Sequence, residues 1–446
     1  MIKVAPSRTV REILVNISWV SLERLIRLGG GLLVGTLVAR YLGPASFGIF
    51  SYAYAIYALF NILSNLGLDL LIVKDITLEP ESEDEILGTA FLLKVGASFI
   101  TTAAAILFAA LLKPNDWITI KITALLSLAS VFQGFEVVGF FFQAKLKSRV
   151  TIIPTALVFI AMCGARVVAV FTHGTLLAIS WIAAIEITLT QLCLGVCYVW
   201  QSRRLPKWHF NRTKAASLLR ESWPLMLSSF LIVVYVRCDQ IILGMFCKPA
   251  TVGDYSAAVK LAELWYSLPL IVCGSVMPQL LRIKESNWIE YHARLQRLYD
   301  LLALSSVAVA ILTMLVGKTA ISIVFGSQYM AAYPILSIYI WTGLFVFLGI
   351  VGAQQMTYDG LGTVQLQRSV FGAIANILLN FLLVPTFGAI GSAISTLIVQ
   401  AIVSYGLDLL NPKTRQIFRI KTRAYLFLWI FDRNLWKQGL STSLLG

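Results

Sequence analysis

Long apolar runs, separated by short stretches rich in turn-forming and charged residues, divide the chain into twelve segments. Their approximate limits are 13–40, 46–74, 88–112, 118–144, 150–171, 175–200, 217–246, 252–281, 297–325, 332–358, 365–384 and 388–410. A helical crossing of a bilayer needs about 20 apolar residues. The pattern therefore predicts an all-α integral membrane protein with twelve transmembrane helices. Many segments exceed that length, which leaves room for tilt or short extensions beyond the hydrocarbon layer. At the N-terminus, Lys3, Arg8 and Arg11 precede an apolar run, as in a signal peptide. The run continues past Glu23, Arg24 and Arg27 without a small-residue cleavage site, so an uncleaved first span is expected. At the other end, the aromatic run Tyr425–Phe431 is too short to cross, and an interfacial helix is expected there.

The segments carry an internal repeat. Residues 41–53 (YLGPASFGIFSYA) align with residues 246–258 (FCKPATVGDYSAA) at an offset of 205, with five identities in thirteen positions. Pro44, Ala45, Gly48, Ser51 and Ala53 match Pro249, Ala250, Gly253, Ser256 and Ala258. Each segment is the external turn between the first two spans of a six-span half. Six is even, so the halves share one orientation and form a parallel repeat about an axis normal to the membrane. The expected organisation is a six-helix lobe over 1–200, a basic cytoplasmic linker over 201–216, a second six-helix lobe over 217–410 and a basic tail over 411–446. Two such lobes facing each other imply a central cavity and alternating access.

Composition narrows the class. Of 446 residues, 58% are hydrophobic and 13% charged, with mean hydropathy +0.80. Soluble domains average about 45–50% apolar and about 25% charged residues, which excludes an ordinary cytosolic enzyme. The net charge of +14 would suggest nucleic acid in a soluble protein. Here 25 of the 36 basic residues fall on one face of the twelve-span arrangement, five on the other and six within spans. That bias places both termini in the cytoplasm and explains the charge as an orientation signal. No nucleic acid partner is expected.

Cys163, Cys193, Cys197, Cys238, Cys247 and Cys273 lie mostly in apolar runs, with no metal-ligand spacing and no disulfide framework. Gly317-Lys318-Thr319 ends like a phosphate-binding loop, but the motif requires glycine where Leu312 stands. His173, His209 and His292 lie far apart, and no catalytic set or cofactor site is expected. The acidic stretch Glu79–Glu85 sits in the first cytoplasmic loop, where Ser82 and Glu85 fit a capping box. A docking site for a partner is the sharper alternative for that stretch.

Arg40-Tyr-Leu-Gly-Pro-Ala-Ser-Phe-Gly-Ile-Phe-Ser-Tyr-Ala resembles the first external turn of bacterial O-antigen and polysaccharide flippases. Asn65–Asp69 (NLGLD), Phe140–Ala144 (FFFQA), Phe325–Tyr329 (FGSQY) and Val384–Ala393 (VPTFGAIGSA) resemble the same family in the same order along the chain. That family shares a superfamily with multidrug-and-toxin exporters and lipid II flippases; the two further spans typical of the latter are not found. The resemblance implies transport of undecaprenyl-diphosphate-linked oligosaccharide from the cytoplasmic to the periplasmic leaflet of the inner membrane. It also implies membrane lipids as surroundings, and a polysaccharide polymerase and chain-length regulator as partners.

Ionisable groups within spans are costly and are default functional candidates. The basic ones are Arg24, Arg27, Lys94, Arg166, Arg237 and Lys260; the acidic ones away from the loops are Glu23, Asp69, Glu136, Glu186, Asp239 and Glu263. This six-to-six balance makes mutual pairing a serious alternative to function. A diphosphate needs several cations, and arginine offers a fork of donors to its oxygens. Arg27, Arg237 and Lys260 are the first candidates for holding it, with Arg24 next. Lys94 and Arg166 rank lower, since neighbouring spans could hold them. Gln133, Glu136 and Gln143 fall on roughly one helical face, suited to sugar hydroxyls or to a polar seam. Asp239, Glu263 and Asp69 are the candidates for ion coupling. Gly29–Gly31 with Gly35 would permit close packing or a bend beside Arg27. Two other functions compete with the flippase. A cation-coupled multidrug antiporter should prefer an acidic cavity. A membrane glycosyltransferase or ligase should carry catalytic residues in a large external loop, and no external loop exceeds about ten residues.

Overall fold

Residues 6–202 and 207–427 are described by the computed structural model, and every regular element among them is a helix. In the first half these are α1 (Pro6–Ser64), α2 (Asp69–Leu78), α3 (Glu83–Leu112), α4 (Trp117–Ala129), α5 (Glu136–Ala144), α6 (Arg149–Phe171) and α7 (Leu176–Ser202). There follow α8 (Arg212–Phe246), α9 (Pro249–Leu264), α10 (Ser267–Ser286), α11 (Trp288–Val324), α12 (Ala332–Tyr339), α13 (Thr342–Tyr358), α14 (Gly362–Ala401), α15 (Leu407–Leu410) and α16 (Arg415–Tyr425). Among the described residues, nine helical stretches are long and apolar enough to cross a membrane, or ten if the bent pair α12–α13 is one. Ile100, Phe171 and Leu315, at 72%, 76% and 77% exposed, are side chains a bilayer would cover and water would not.

The chain forms two compact units, Met1–Gly253 and Asp254–Gly446. In the first, Leu68 forms a core with Ile72, Ile86, Leu87, Val137 and Val138 of α2, α3 and α5. In the second, Met277, Leu295, Leu302, Phe347 and Leu348 join α10, α11 and α13, and Ile420 and Ala424 of α16 complete that core.

Breaks in the helices matter more than their lengths. α1 is bent at Gly43 (φ 73°), a conformation open to glycine and placed just before Pro44. The bend is not at Gly29–Gly31, where the helix runs on. There only Gly30 packs closely, since a Cβ would lie 2.8 Å from the Phe159 ring. The predicted second span is cut at Leu66 (φ 54°) and Gly67 (φ 65°). At Gly67 a Cβ would meet the α8 backbone 2.6 Å away at the Met226 nitrogen, so no larger residue fits. The predicted fourth span is likewise cut by a 3-10 segment, Ser130–Phe135, between α4 and α5.

The two turns matched by the repeat meet each other. A Cβ on Gly48 would lie 1.8 Å from the Pro249 carbonyl oxygen, and one on Gly253 would lie 2.0 Å from that of Pro44. Both glycines are therefore required by close backbone approach, whatever their dihedrals.

Two local expectations change. Ser82 precedes α3 but makes no side-chain cap; Glu83, Asp84 and Glu85 instead fill the first turn, where the helix dipole favours negative charge. Glu83 pairs with Lys145 at 2.7 Å, and Glu79 with Lys214 at 3.2 Å, so the acidic stretch is engaged within its own unit. The linker is anchored as well: Trp208 packs on Phe91 and Tyr198, and His209 lies against Gly88. Residues 203–206 of that linker lie outside the described residues. Finally, the aromatic run on which an interfacial helix is expected lies mostly outside the described residues, and the tail carries a helix just before it. It is α16, and it ends at Tyr425 where the run begins. Residues 428–446 lie outside the described residues.

Candidate functional site

The first unit places a polar network where two of these breaks face α3. The turn at Leu66–Gly67 brings Asn65 and Asp69 to its rim, and the 3-10 segment turns Gln133 and Glu136 towards Lys94. The segment can approach because it carries Gly134, whose Cβ would lie 2.6 Å from Val95. Lys94 is fully buried and reaches Glu136 Oε2 at 2.7 Å and Asp69 Oδ1 at 3.7 Å. Its ammonium also lies over the Phe140 ring, 5.0 Å from the centroid. Gln133 donates to Asn65 Oδ1 at 2.8 Å and to Glu136 Oε2 at 3.4 Å, and accepts from Ser64 at 2.8 Å. The side chains of Asp69 and Glu136 remain 46% and 31% exposed. With both carboxylates ionised, the cluster holds one cation against two anions and opens to the outside on its acidic side. Gln143, read from sequence as part of the same face, is exposed. Seven residues beyond Glu136 on the unbroken α5, it keeps that face but stands about 10 Å further along the helix, away from the network.

The arginines separate into two kinds. Arg166 on α6 is closed off by Glu186 on α7 at 2.5 Å, the neighbour pairing foreseen for it. Arg27 is less confined. It pairs with Glu23 one turn back at 2.9 Å, sits over the Phe159 ring at 5.4 Å, and its side chain stays 36% exposed. Arg24, three residues earlier, is exposed. Arg237 of α8 is half-buried, with its guanidinium 6.0 Å from the centroid of Tyr54, and makes no ion pair among the described residues. Asp239, two residues on, is buried and accepts from Cys238 at 3.6 Å. Lys260 and Glu263 are half-buried on α9, within the second unit.

Sequence reasoning missed one buried charge cluster in that second unit. Arg368 of α14 and Lys421 of α16 converge on Asp408 of α15; Lys421 reaches Oδ2 at 2.8 Å and Arg368 contacts Oδ1. Lys421 also donates at 2.6 Å to the Ser404 carbonyl in the π-turn Ile402–Gly406, which such a turn leaves available. Burial pushes the Lys421 ammonium below the ordinary lysine value, and the Asp408 carboxylate opposes that push. The one available signal was Asp408 itself, a lone acid closing an apolar run.

Residues 13–284 match the polysaccharide biosynthesis protein family. The chain is 28% identical to the probable flippase AglR of Haloferax volcanii over 43% of this chain, and that match spans 41% of the relative's own length. It is 21% identical to a putative O-antigen transporter of Escherichia coli K12, over 84% of this chain and 90% of that protein. Among solved structures, the inward closed conformation of the lipid II flippase MurJ superposes with a TM-score of 0.69 at 13% identity. That likeness covers 94% of this chain and 92% of the other and shows the fold.

Proposed function

The chain belongs to the polysaccharide biosynthesis protein family, and from that membership and the site just described we propose that it is a flippase for undecaprenyl-diphosphate-linked oligosaccharide. Its cargo is an O-antigen or related repeat unit, moved from the cytoplasmic to the periplasmic leaflet of the inner membrane. The observation that carries this reading is Arg237: a half-buried guanidinium within a membrane span that faces an aromatic ring and, among the described residues, has no carboxylate in salt-bridge reach. An intramembrane cation left in that state needs an anion, and a diphosphate supplies one with oxygens matched to the guanidinium fork. Arg27, half-exposed with a single glutamate beside it, and the exposed Arg24 provide further charge, as does Lys260.

The proposed architecture has twelve crossings. The nine stretches become ten with the bent pair, and the 57-residue Leu22–Leu78 and 49-residue Gly362–Leu410 are each long enough to cross twice. Gly43 and Gly388 (φ 56°) supply the breaks within them. Both ends are cytoplasmic, and two six-helix lobes rock to alternate access while sugars cross a wet cavity. Coupling to a proton or sodium gradient falls to Asp69 with Glu136, whose side chains open outward beside Lys94, and to Asp239 and Glu263. The acidic excess of that cluster is the one feature favouring the multidrug antiporter. In the flippase it serves the coupling ion, while the unpaired arginine serves the cargo.

The test is leaflet accessibility of lipid-linked oligosaccharide in cells deleted for this protein and complemented with Arg27→Ala/Arg237→Ala. Retention on the cytoplasmic face is expected for both the deletion and the double variant. Wild-type translocation by the double variant would remove these arginines from the mechanism.

A further inference from the structure

Between Leu409 and Phe427 the chain carries five cations, Lys413, Arg415, Arg419, Lys421 and Arg423, and no acid. At several other helix ends a cation finds a carboxylate: Lys74 pairs with Glu221, Lys145 with Glu83, Lys214 with Asp75 and Lys284 with Asp359. In this segment Lys421 is taken up by Asp408, and Arg423 lies in reach of the Asp300 charge on α11. Lys413, Arg415 and Arg419 are exposed and make no ion pair among the described residues.

The fold decides which way these charges point. α16 buries Ile417, Ile420, Lys421 and Ala424, which recur at helical spacing on one side. Arg415 and Arg419, one turn apart, stand on the opposite side, and Leu426, 60% exposed, follows in line with them. Gln416, beside Arg415, contacts His292 of α11. The His292 ring lies 4.3 Å from that of Trp288, which is 55% exposed.

This face stands close to the bilayer. Leu410 closes the apolar stretch Gly362–Leu410 and is 72% exposed. Arg415 follows five residues later, so it lies within about 18 Å of the end of that stretch. Leu410, Leu426 and Trp288 thus flank the two arginines with side chains of the kind that sit at a membrane surface.

A cationic helix face without acids, flanked by exposed apolar side chains at the end of a span, is complementary to phosphate headgroups above hydrocarbon. We propose that the outer face of α16 binds anionic lipid. Arg415 and Arg419 offer their donors to headgroup phosphates, while Leu410, Leu426 and Trp288 enter the boundary with the acyl chains. An acidic protein segment would supply the charge but leave those three side chains to water. Lipid held on the outer face favours the docked helix over the free one, so it stabilises α16 against the second unit's core.

The experiment places the full chain in nanodiscs of phosphatidylcholine, with or without phosphatidylglycerol, and reads amide hydrogen exchange in residues 411–427. Phosphatidylglycerol should slow exchange there by about tenfold, and high salt should weaken the effect. Arg415→Gln/Arg419→Gln should lose most of the slowing, and Arg415→Lys/Arg419→Lys should keep most of it. Unchanged exchange in the first unit shows that a variant is folded, and Arg419→Gln alone replaces the pair if it is not. Equal exchange in the two membranes, or slowing that survives the glutamine pair, would overturn the proposal. So would two other results. Equal slowing by soluble glycerol phosphate would make this a site for free phosphate, and slowing by polyglutamate without any by phosphatidylglycerol would make it a protein interface.

Discussion

Lys94 and Arg237 are both cations within spans, and what surrounds them separates their roles. Lys94 is fully buried against Glu136 and Asp69, so deleting its charge strands two carboxylates. Both carboxylates keep contact with the surroundings, so the cost falls below the about 3–5 kcal/mol of a fully buried pair broken from one side. Lys94→Met should therefore lower the melting temperature of the detergent-purified protein, and adding Glu136→Gln should restore part of the loss. A Lys94→Met protein as stable as wild type would show that the network contributes no net stability. Arg237 has no such partner, so Arg237→Ala should leave melting nearly unchanged while translocation falls at least about tenfold. This division was only half legible in the sequence. The six-to-six balance of intramembrane charge announced pairing, but the partners of Lys94 lie 25 and 42 residues away. They reach it only because two helices are broken, and breaks inside apolar runs leave little trace in hydropathy.

At the level of elements, the breaks and the tail helix do the positioning. Gly67 holds a left-handed backbone with α8 against it, so Gly67→Ala combines conformational strain with a 2.6 Å clash. It should reduce folded yield in a fluorescence-detected size-exclusion assay, whereas Gly96→Ala, which meets nothing within 4 Å, should not. α16 is bound through Lys421 and Asp408 as well as Ile417, Ile420 and Ala424. Lys421→Met should loosen it and expose the 411–427 segment to limited proteolysis, with the rest of the chain still protected. Protease resistance equal to wild type would assign its docking to apolar burial alone. The aromatic run on which an interfacial helix is expected lies mostly outside the described residues, and the helix just before it, α16, belongs to the second unit's core. A lysine in a basic tail looks like an orientation signal until its partner, thirteen residues back, is placed beside it.

For the whole molecule, the apolar segments were legible because a bilayer imposes one length on every crossing. Charge asymmetry yields the proposed orientation by the same kind of bulk rule. That orientation is directly measurable: reporters fused after Gly174 in the 172–175 turn and at the C-terminus should report the periplasm and the cytoplasm respectively. A periplasmic C-terminus would overturn the even span count. Substrate specificity was not legible in this way, since it depends on which few cations remain unpaired after folding.

The contact between the two matched turns has a further consequence. When residue i of one segment meets j of its counterpart, while j's equivalent meets i's, the geometry is that of a two-fold homodimer interface. Here Gly48 lies against Pro249 and Gly253 against Pro44, within one covalent chain. Such an arrangement couples two positions 205 residues apart in their freedom to vary. A side chain gained at either glycine strikes the other turn's backbone, so neither half of the duplication can drift at this point without the other.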